Sequence, residues 1–295
     1  MEIRTDLALE NKEGLRLDSV SGISVAESKD EATNTKITKV KITTKNGMKL
    51  MNKPIGDYIT LEIPKLSEED DSFQEKIAQL IANEIRLILA DTKLPTLYSI
   101  LLIGLGNRDV TSDSLGPKVM DHLHITRHLF KHYGSYPNIS DLRHSISCIS
   151  PDVMAKTGME SGEITKGIIL ETKPDLLIAV DALAARSVKR LYSTVQISNT
   201  GIHPGSGVGN HRLELSQETM GIPVLAIGIP TVVDAATIVS DFLKEVNGTN
   251  TLPTFSQFDQ EMTTLQNMYV TGKDIDSIVE RLSLTLALGL NLAFS

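Results

Sequence analysis

YSILLIGLGNRDVTSDSLGPKV, residues 98–119, decides the reading of this 295-residue chain. Tyr98–Ile103 is an unbroken apolar run of strand length, as expected of a strand covered on both faces. Gly104–Leu105–Gly106–Asn107 breaks the run, a polar loop follows, and the spacing predicts a helix from near Leu115. The loop carries Asp109 and Asp113 beyond the carboxyl end of a strand, where open α/β sheets gather their chemistry. A second apolar run, Leu176–Val180, leads directly into Asp181. Two strands followed by carboxylates are the strongest mechanistic lead in the sequence.

Short strands rich in Val, Ile and Leu are expected at Ile37–Thr44, Tyr58–Ile63, Ile146–Ile149, Thr194–Ile197 and Val224–Ile229. Asn46–Gly47 reads as the tight turn of a hairpin. Helices are expected from Ser67-x-x-Asp70 through Leu89, over Leu115–Tyr133, Ile164–Thr172, Ala182–Leu191 and Val232–Val246, and from Asp274 through Leu290. Phe73, Ile77, Leu80, Ile81, Glu84, Ile85, Ile88 and Leu89 fall on one helical face. The pattern is that of an α/β fold: a mostly parallel or mixed twisted sheet with helices on both faces, plus a small antiparallel N-terminal unit at residues 35–64. Residues 1–295 read as one domain, with a surface loop region at 247–271.

Composition narrows the function classes. Apolar residues make up 41% and charged residues 22%, the balance of an ordinary globular protein. A net charge of −8, with no acidic tail, argues against non-specific nucleic-acid binding, and the lack of tryptophan argues against base stacking. The single cysteine, Cys148, excludes an internal disulfide and a multi-cysteine metal site; among apolar neighbours it reads as a core residue in a reducing cytoplasm. Met1–Glu10 lacks the apolar run of a cleavable signal, and no membrane span is expected.

Common motifs fit poorly. Gly104-x-Gly106-x-x-Asp109 has the first two glycines of a dinucleotide loop, but an aspartate in third place would repel a pyrophosphate. Gly104, Gly106 and Asn107 are better read as a sharp reversal exposing loop backbone beside a site. His122, His124, His128 and His132 include i,i+4 pairs but no HExxH, and read as a surface cluster. GIHPGSGVGN, residues 201–210, reads as a second functional loop, offering His203, Gly205, Ser206 and Gly207. It is not a G-x-S-x-G elbow. Helix capping stays open for Asp113 and neighbouring Asp109, while Asp113 and Asp181 together could form a proton-sharing pair that activates water or, with His203, hold a divalent metal.

RTDLALE (Arg4–Glu10), GLGNRDVTSDSLGPKV (Gly104–Val119), TRHLF (Thr126–Phe130), KPDLLIAVDALAARS (Lys173–Ser187), STVQISNTGIHPGSGVGN (Ser193–Asn210) and GIPVLAIGIPTVVDA (Gly221–Ala235) closely resemble the germination protease family of spore-forming bacteria. The resemblance implies a fold similar to hydrogenase maturation peptidases. It implies an endopeptidase of the spore core cytoplasm that degrades small acid-soluble spore proteins, without a direct nucleic-acid or membrane partner. The family is assigned as atypical aspartic peptidases. Its T-x-D-x-L-G-P aspartate falls on Asp113 and its D-A-L-A-A-R aspartate on Asp181, with no cofactor required. A divalent metal on the same carboxylates is the alternative, since the related hydrogenase peptidases hold nickel at similar strand ends. Family members are zymogens and assemble as homotetramers. Their pro-segment ends within R-T-D-L-A, which implies a short pro-segment of residues 1–6 and processing between Asp6 and Leu7. An acidic residue followed by a large apolar one is also the kind of bond the family prefers in its substrates.

Overall fold

The computed structural model describes residues 5–13, 22–133, 143–204, 213–239, 242, 265 and 268–295. Its sheet is mixed. Strands β1 (Ile23–Asp30), β2 (Thr35–Ile42), β3 (Gly56–Glu62), β4 (Ser99–Gly104), β5 (Ser145–Ile149), β6 (Leu176–Ala185), β7 (Thr194–Ser198) and β8 (Val224–Asp234) lie in the order β1-β2-β3-β7-β8-β6-β4-β5. A two-residue strand, β9 (Tyr269–Val270), pairs with the end of β8. β8, β6, β4 and β5 run parallel; β1, β2, β3 and β7 extend the same sheet by antiparallel pairing. The N-terminal antiparallel strands are thus continuous with the main sheet through β3 and β7.

Helices cover both faces. On one face lie α3 (Asp71–Leu89), α4 (Leu115–Asp121) and α9 (Ile275–Phe294), whose Ile77, Ile81, Ile85, Leu282 and Leu286 are buried against Leu102, Ile178 and Ile227. Each such side chain stabilises the fold by about 1.5–3 kcal/mol through apolar burial. Asp70 caps α3 by accepting from the Phe73 amide, so the cap lies three residues beyond Ser67. The last helix is long and apolar enough to cross a membrane, but Val279, Leu282, Leu286 and Leu290 are sealed in this core. On the other face α7 (Ser161–Thr172) and α8 (Gln217–Met220) pack Ile169 and Met220 into a cluster with Leu101, Leu177 and Ala179.

Four local expectations are corrected. Asn46–Gly47 lies within helix α2 (Lys45–Met51), because the Thr44 hydroxyl accepts from the Gly47 amide and caps it. The hairpin turn falls instead at Glu31–Asn34, where Asn34 takes φ +55°. The helix expected over Leu115–Tyr133 is two, α4 and α5 (Arg127–Tyr133). Asn291 of α9 separates them, its side chain donating to the His122 carbonyl and accepting from the His124 amide. Ala182–Ala185 extends β6 rather than starting a helix, since β8 runs alongside as far as Val233, with a bulge between Leu183 and Ala184. β8 likewise continues through Val232 and Val233, and helix begins only at Ala235, where Asp234 accepts from the Thr237 amide. In both cases a neighbouring strand overrides the local propensity.

Candidate active site

Chain order places the site. After β4 the chain crosses to β5 on one side, then through α7 to β6 on the other, so the β4–β6 boundary is the sheet's switch point. β4 ends at Gly104, opposite Val180, and the Leu105 amide donates to the Val180 carbonyl at 2.8 Å. Asp181 is the next residue of β6. It therefore stands mid-strand, at the point where β6 loses its β4 neighbour, and not at a strand end as expected.

The loop after Gly104 brings Asp113 to the same place. Gly116, in the first turn of α4, lies so close to the strands that a Cβ there would sit 2.3 Å from the Leu105 carbonyl and 2.5 Å from the Val180 carbonyl. The loop is then tied down on every side. The Asn107 amide donates to Asp113 Oδ2 at 2.8 Å, Thr231 of β8 donates to the Ser112 carbonyl at 2.6 Å, and Thr111 donates to Asp276. Arg108 donates to the Pro117 carbonyl and to both oxygens of Asp121, clamping the loop to α4. Asp113 ends a short 3-10 turn, Thr111–Asp113, and Ser114 occupies the N-cap of α4. The capping role open to Asp113 in the sequence is therefore not the one it fills.

Asp113 and Asp181 line one cleft of about 320 Å³, together with Asp6, Gly106, His203 and Thr231. Asp181 is only 7% exposed and accepts from the Ala182 amide at 2.9 Å, while Asp113 is half-buried. Of the other expected site residues, Gly106 takes φ +113°, the reversal its sequence suggested. Gly104 permits the close approach of Gly116, and Asn107 also accepts from the Asp109 amide. Asp109 itself points away from the cleft, largely exposed and paired with Lys156 of α6 (Met154–Thr157) at 2.6 Å. Gly205, Ser206 and Gly207 lie outside the described residues, as does most of 247–271.

His203 reaches the cleft but turns Nε2 toward Glu214 at 3.3 Å. Among the described residues no three His, Cys, Asp or Glu side chains gather as a metal-holding cluster, and His124, His128 and His132 are exposed on the surface. The carboxylates of Asp6, Asp113 and Asp181 line the cleft beside a histidine whose Nε2 is already paired with Glu214. Cys148 is half-buried against the core, and burial pushes its thiol pKa up, away from the thiolate a nucleophile needs.

What composition and periodicity missed is where the N-terminal arm docks. Asp6 donates its amide to the Ala184 carbonyl at 3.1 Å, and its carboxylate accepts from the Ala184 amide at 2.9 Å, at the β6 bulge. Leu7 is fully buried among Leu183, Ala185 and Val233. Glu10, on α1 (Ala8–Glu13), is buried and accepts from the Arg186 and Ser187 amides and from Arg190. The only signal for this docking was the RTDLALE string itself, since Leu7 and Glu10 find their partners in distant strands.

Open α/β sheets bind their ligands at such a switch point, and carboxylates on that cleft are groups that general acid–base chemistry uses. Comparison with known proteins supplies the particular kind. The germination protease family model matches residues 2–248. The germination protease of Caldanaerobacter subterraneus subsp. tengcongensis is 43% identical, covering 99% of this chain and 94% of its own length. That of Clostridium tetani is 40% identical, with 99% and 95% covered, and that of Bacillus velezensis 47% identical, with 81% and 65% covered. The chain belongs to the germination protease family and is a peptidase.

Proposed function

We propose that the protein is an endopeptidase that hydrolyses small acid-soluble spore proteins during germination, with water activated between Asp113 and Asp181. The observation that carries this reading is the meeting of these two carboxylates on one cleft, from separate elements of the sheet. A pair of carboxylates confined in one place is suited to share a single proton. One oxygen then accepts a proton from water as the water attacks the scissile carbonyl, and the protonated partner donates toward the departing amine. Water adds across the C–N bond, leaving a carboxylic acid and an amine, and needs no redox partner.

The N-terminal arm supports a zymogen reading, with processing between Asp6 and Leu7, because Asp6 lines the cleft that holds both aspartates. A homotetramer in the spore core cytoplasm completes the proposal. The discriminating experiment is digestion of a purified small spore protein by the full chain, compared with Asp113→Asn and Asp181→Asn. Each variant should lose at least about a thousandfold in rate with an unchanged unfolding midpoint, as when a group central to proton transfer is removed. Near-normal cleavage by either variant removes that residue from the chemistry. Loss of activity on chelation, with recovery on adding back a divalent metal, would replace the carboxylate-pair mechanism by the metal alternative.

A further inference from the structure

The carbonyl oxygen of Asp6 is held by two side-chain donors. Lys53 Nζ lies 2.8 Å from it and Gln196 Nε2 lies 3.0 Å from it. Asp6 lines the cleft that also holds Asp113 and Asp181, and the two residues that donate to its carbonyl oxygen do not. Gln196 is buried at mid-β7, and its Oε1 accepts from the Ala8 amide at 2.6 Å. The backbone on both sides of the Asp6–Leu7 bond is therefore gripped by one glutamine. Lys53 directly follows the C-cap of α2, and its amide donates to the Met48 carbonyl, fixing the root of the side chain.

We propose that Lys53 and Gln196 form the oxyanion hole for hydrolysis of the Asp6–Leu7 bond, so that the docked arm is bound as a substrate in place. The inference rests on the processing reading above. Water adds to the Asp6 carbonyl carbon and gives one proton to the aspartate pair. The carbonyl π electrons move onto the oxygen, where Lys53 and Gln196 donate to the developing negative charge. Collapse re-forms the carbonyl and breaks the C–N bond. The Leu7 nitrogen takes up the proton held by the aspartates, and Asp6 is left as a C-terminal carboxylic acid. An ammonium and an amide hydrogen aimed at one carbonyl oxygen are the donors such a step uses, and their fixed placement costs no reorganisation as the charge appears. Lys53 pKa is lowered by burial, and Asp6 and Glu10 pull it partly back. The nearby carboxylates thus help keep the ammonium where the oxyanion would form.

The test follows loss of residues 1–6 from the full chain by intact-mass measurement, with digestion of an added small spore protein run in parallel. Lys53→Met should slow the Asp6–Leu7 cleavage by on the order of 10²–10³, and Lys53→Arg should restore most of the rate. Gln196→Glu keeps the acceptor for the Ala8 amide but removes the donor. It should slow cleavage at least about tenfold while hydrogen exchange at Ala8 stays protected. Wild-type processing rates in Lys53→Met and Gln196→Glu would overturn the proposal. So would slowing that merely tracks loss of Ala8 protection, which would make these residues a clamp. If the wild-type chain digests the spore protein yet leaves its own Asp6–Leu7 bond intact, this inference falls and the endopeptidase reading stands. If it does neither, the endopeptidase reading falls as well.

Discussion

Gly106 and Asp113 are locked together: a Cβ on Gly106 would lie 2.0 Å from the Asp113 carbonyl oxygen and 2.9 Å from Oδ1. Gly106 also takes φ +113°, a region side chains rarely enter. No rotamer adjustment relieves a clash with backbone, so any side chain at residue 106 must displace the turn that carries Asp113. Gly106→Ala is expected to cost on the order of 1–3 kcal/mol in stability. It should reduce spore-protein cleavage more than its unfolding midpoint implies. Denaturant unfolding and a cleavage assay on the same preparation check this; full activity would show that the turn tolerates displacement.

Gly116 makes the corresponding argument for helix placement. Its missing side chain lets α4 rest on the Leu105 and Val180 carbonyls, so Gly116→Ala would wedge the helix off the strands. The expected cost is about 1–3 kcal/mol, as for other overpacked contacts. Gly167 is the control, because a Cβ there meets nothing within 4 Å on the exposed side of α7. Gly167→Ala should stabilise by about 0.5–1 kcal/mol through helix propensity, with cleavage unchanged. Thermal unfolding of the two variants should move in opposite directions.

The contrast between these glycines shows what was legible in the sequence. Tyr98–Val119 revealed its strand, loop and helix start because each obeys a local rule: apolar run, glycine break, helix-forming resumption. Asp113 and Asp181 could be singled out for the same reason. Local rules failed where a distant segment decides the outcome. Ala182–Ala185 looks helical until β8 is laid beside it, and Leu115–Tyr133 looks continuous until Asn291 enters between its halves. The arm was the hardest case: Lys53, Gln196 and Ala184 meet Asp6 only through the fold, and no spacing along the chain relates them.

Glu10 should matter for stability out of proportion to its place near the chain's start. It is 5% exposed and gathers the Arg186 and Ser187 amides and the Arg190 guanidinium. Glu10→Ala would leave buried donors without that acceptor, a loss of about 3–5 kcal/mol when a buried pair is broken on one side. Arg190 also reaches Glu62 at 3.5 Å, so the lower end of that range is expected. Glu10→Gln keeps an acceptor oxygen and should lose less. Urea unfolding of both variants tests the order, and equal losses would show that charge alone matters.

Arg108 offers a pH-dependent prediction. Hydrogen bonds from Arg108 hold the Asp121 carboxyl below the usual carboxylate range. A carboxylate with a depressed folded-state pKa contributes stability above its unfolded value, about 3.9, and loses that contribution as pH falls through the folded value. Both side chains are nearly half exposed, at 47% and 49%, so solvent screening limits the pair to about 0.2–1 kcal/mol. Arg108→Leu should therefore lower stability modestly at pH 7 and progressively less below about pH 4. A small residual difference should persist at low pH, because Arg108 also donates to the Pro117 carbonyl, which does not titrate. Unfolding midpoints of wild type and variant between acidic and neutral pH decide the matter: a constant difference would assign the clamp to the Pro117 bond, and a difference growing in acid would refute the ion-pair account.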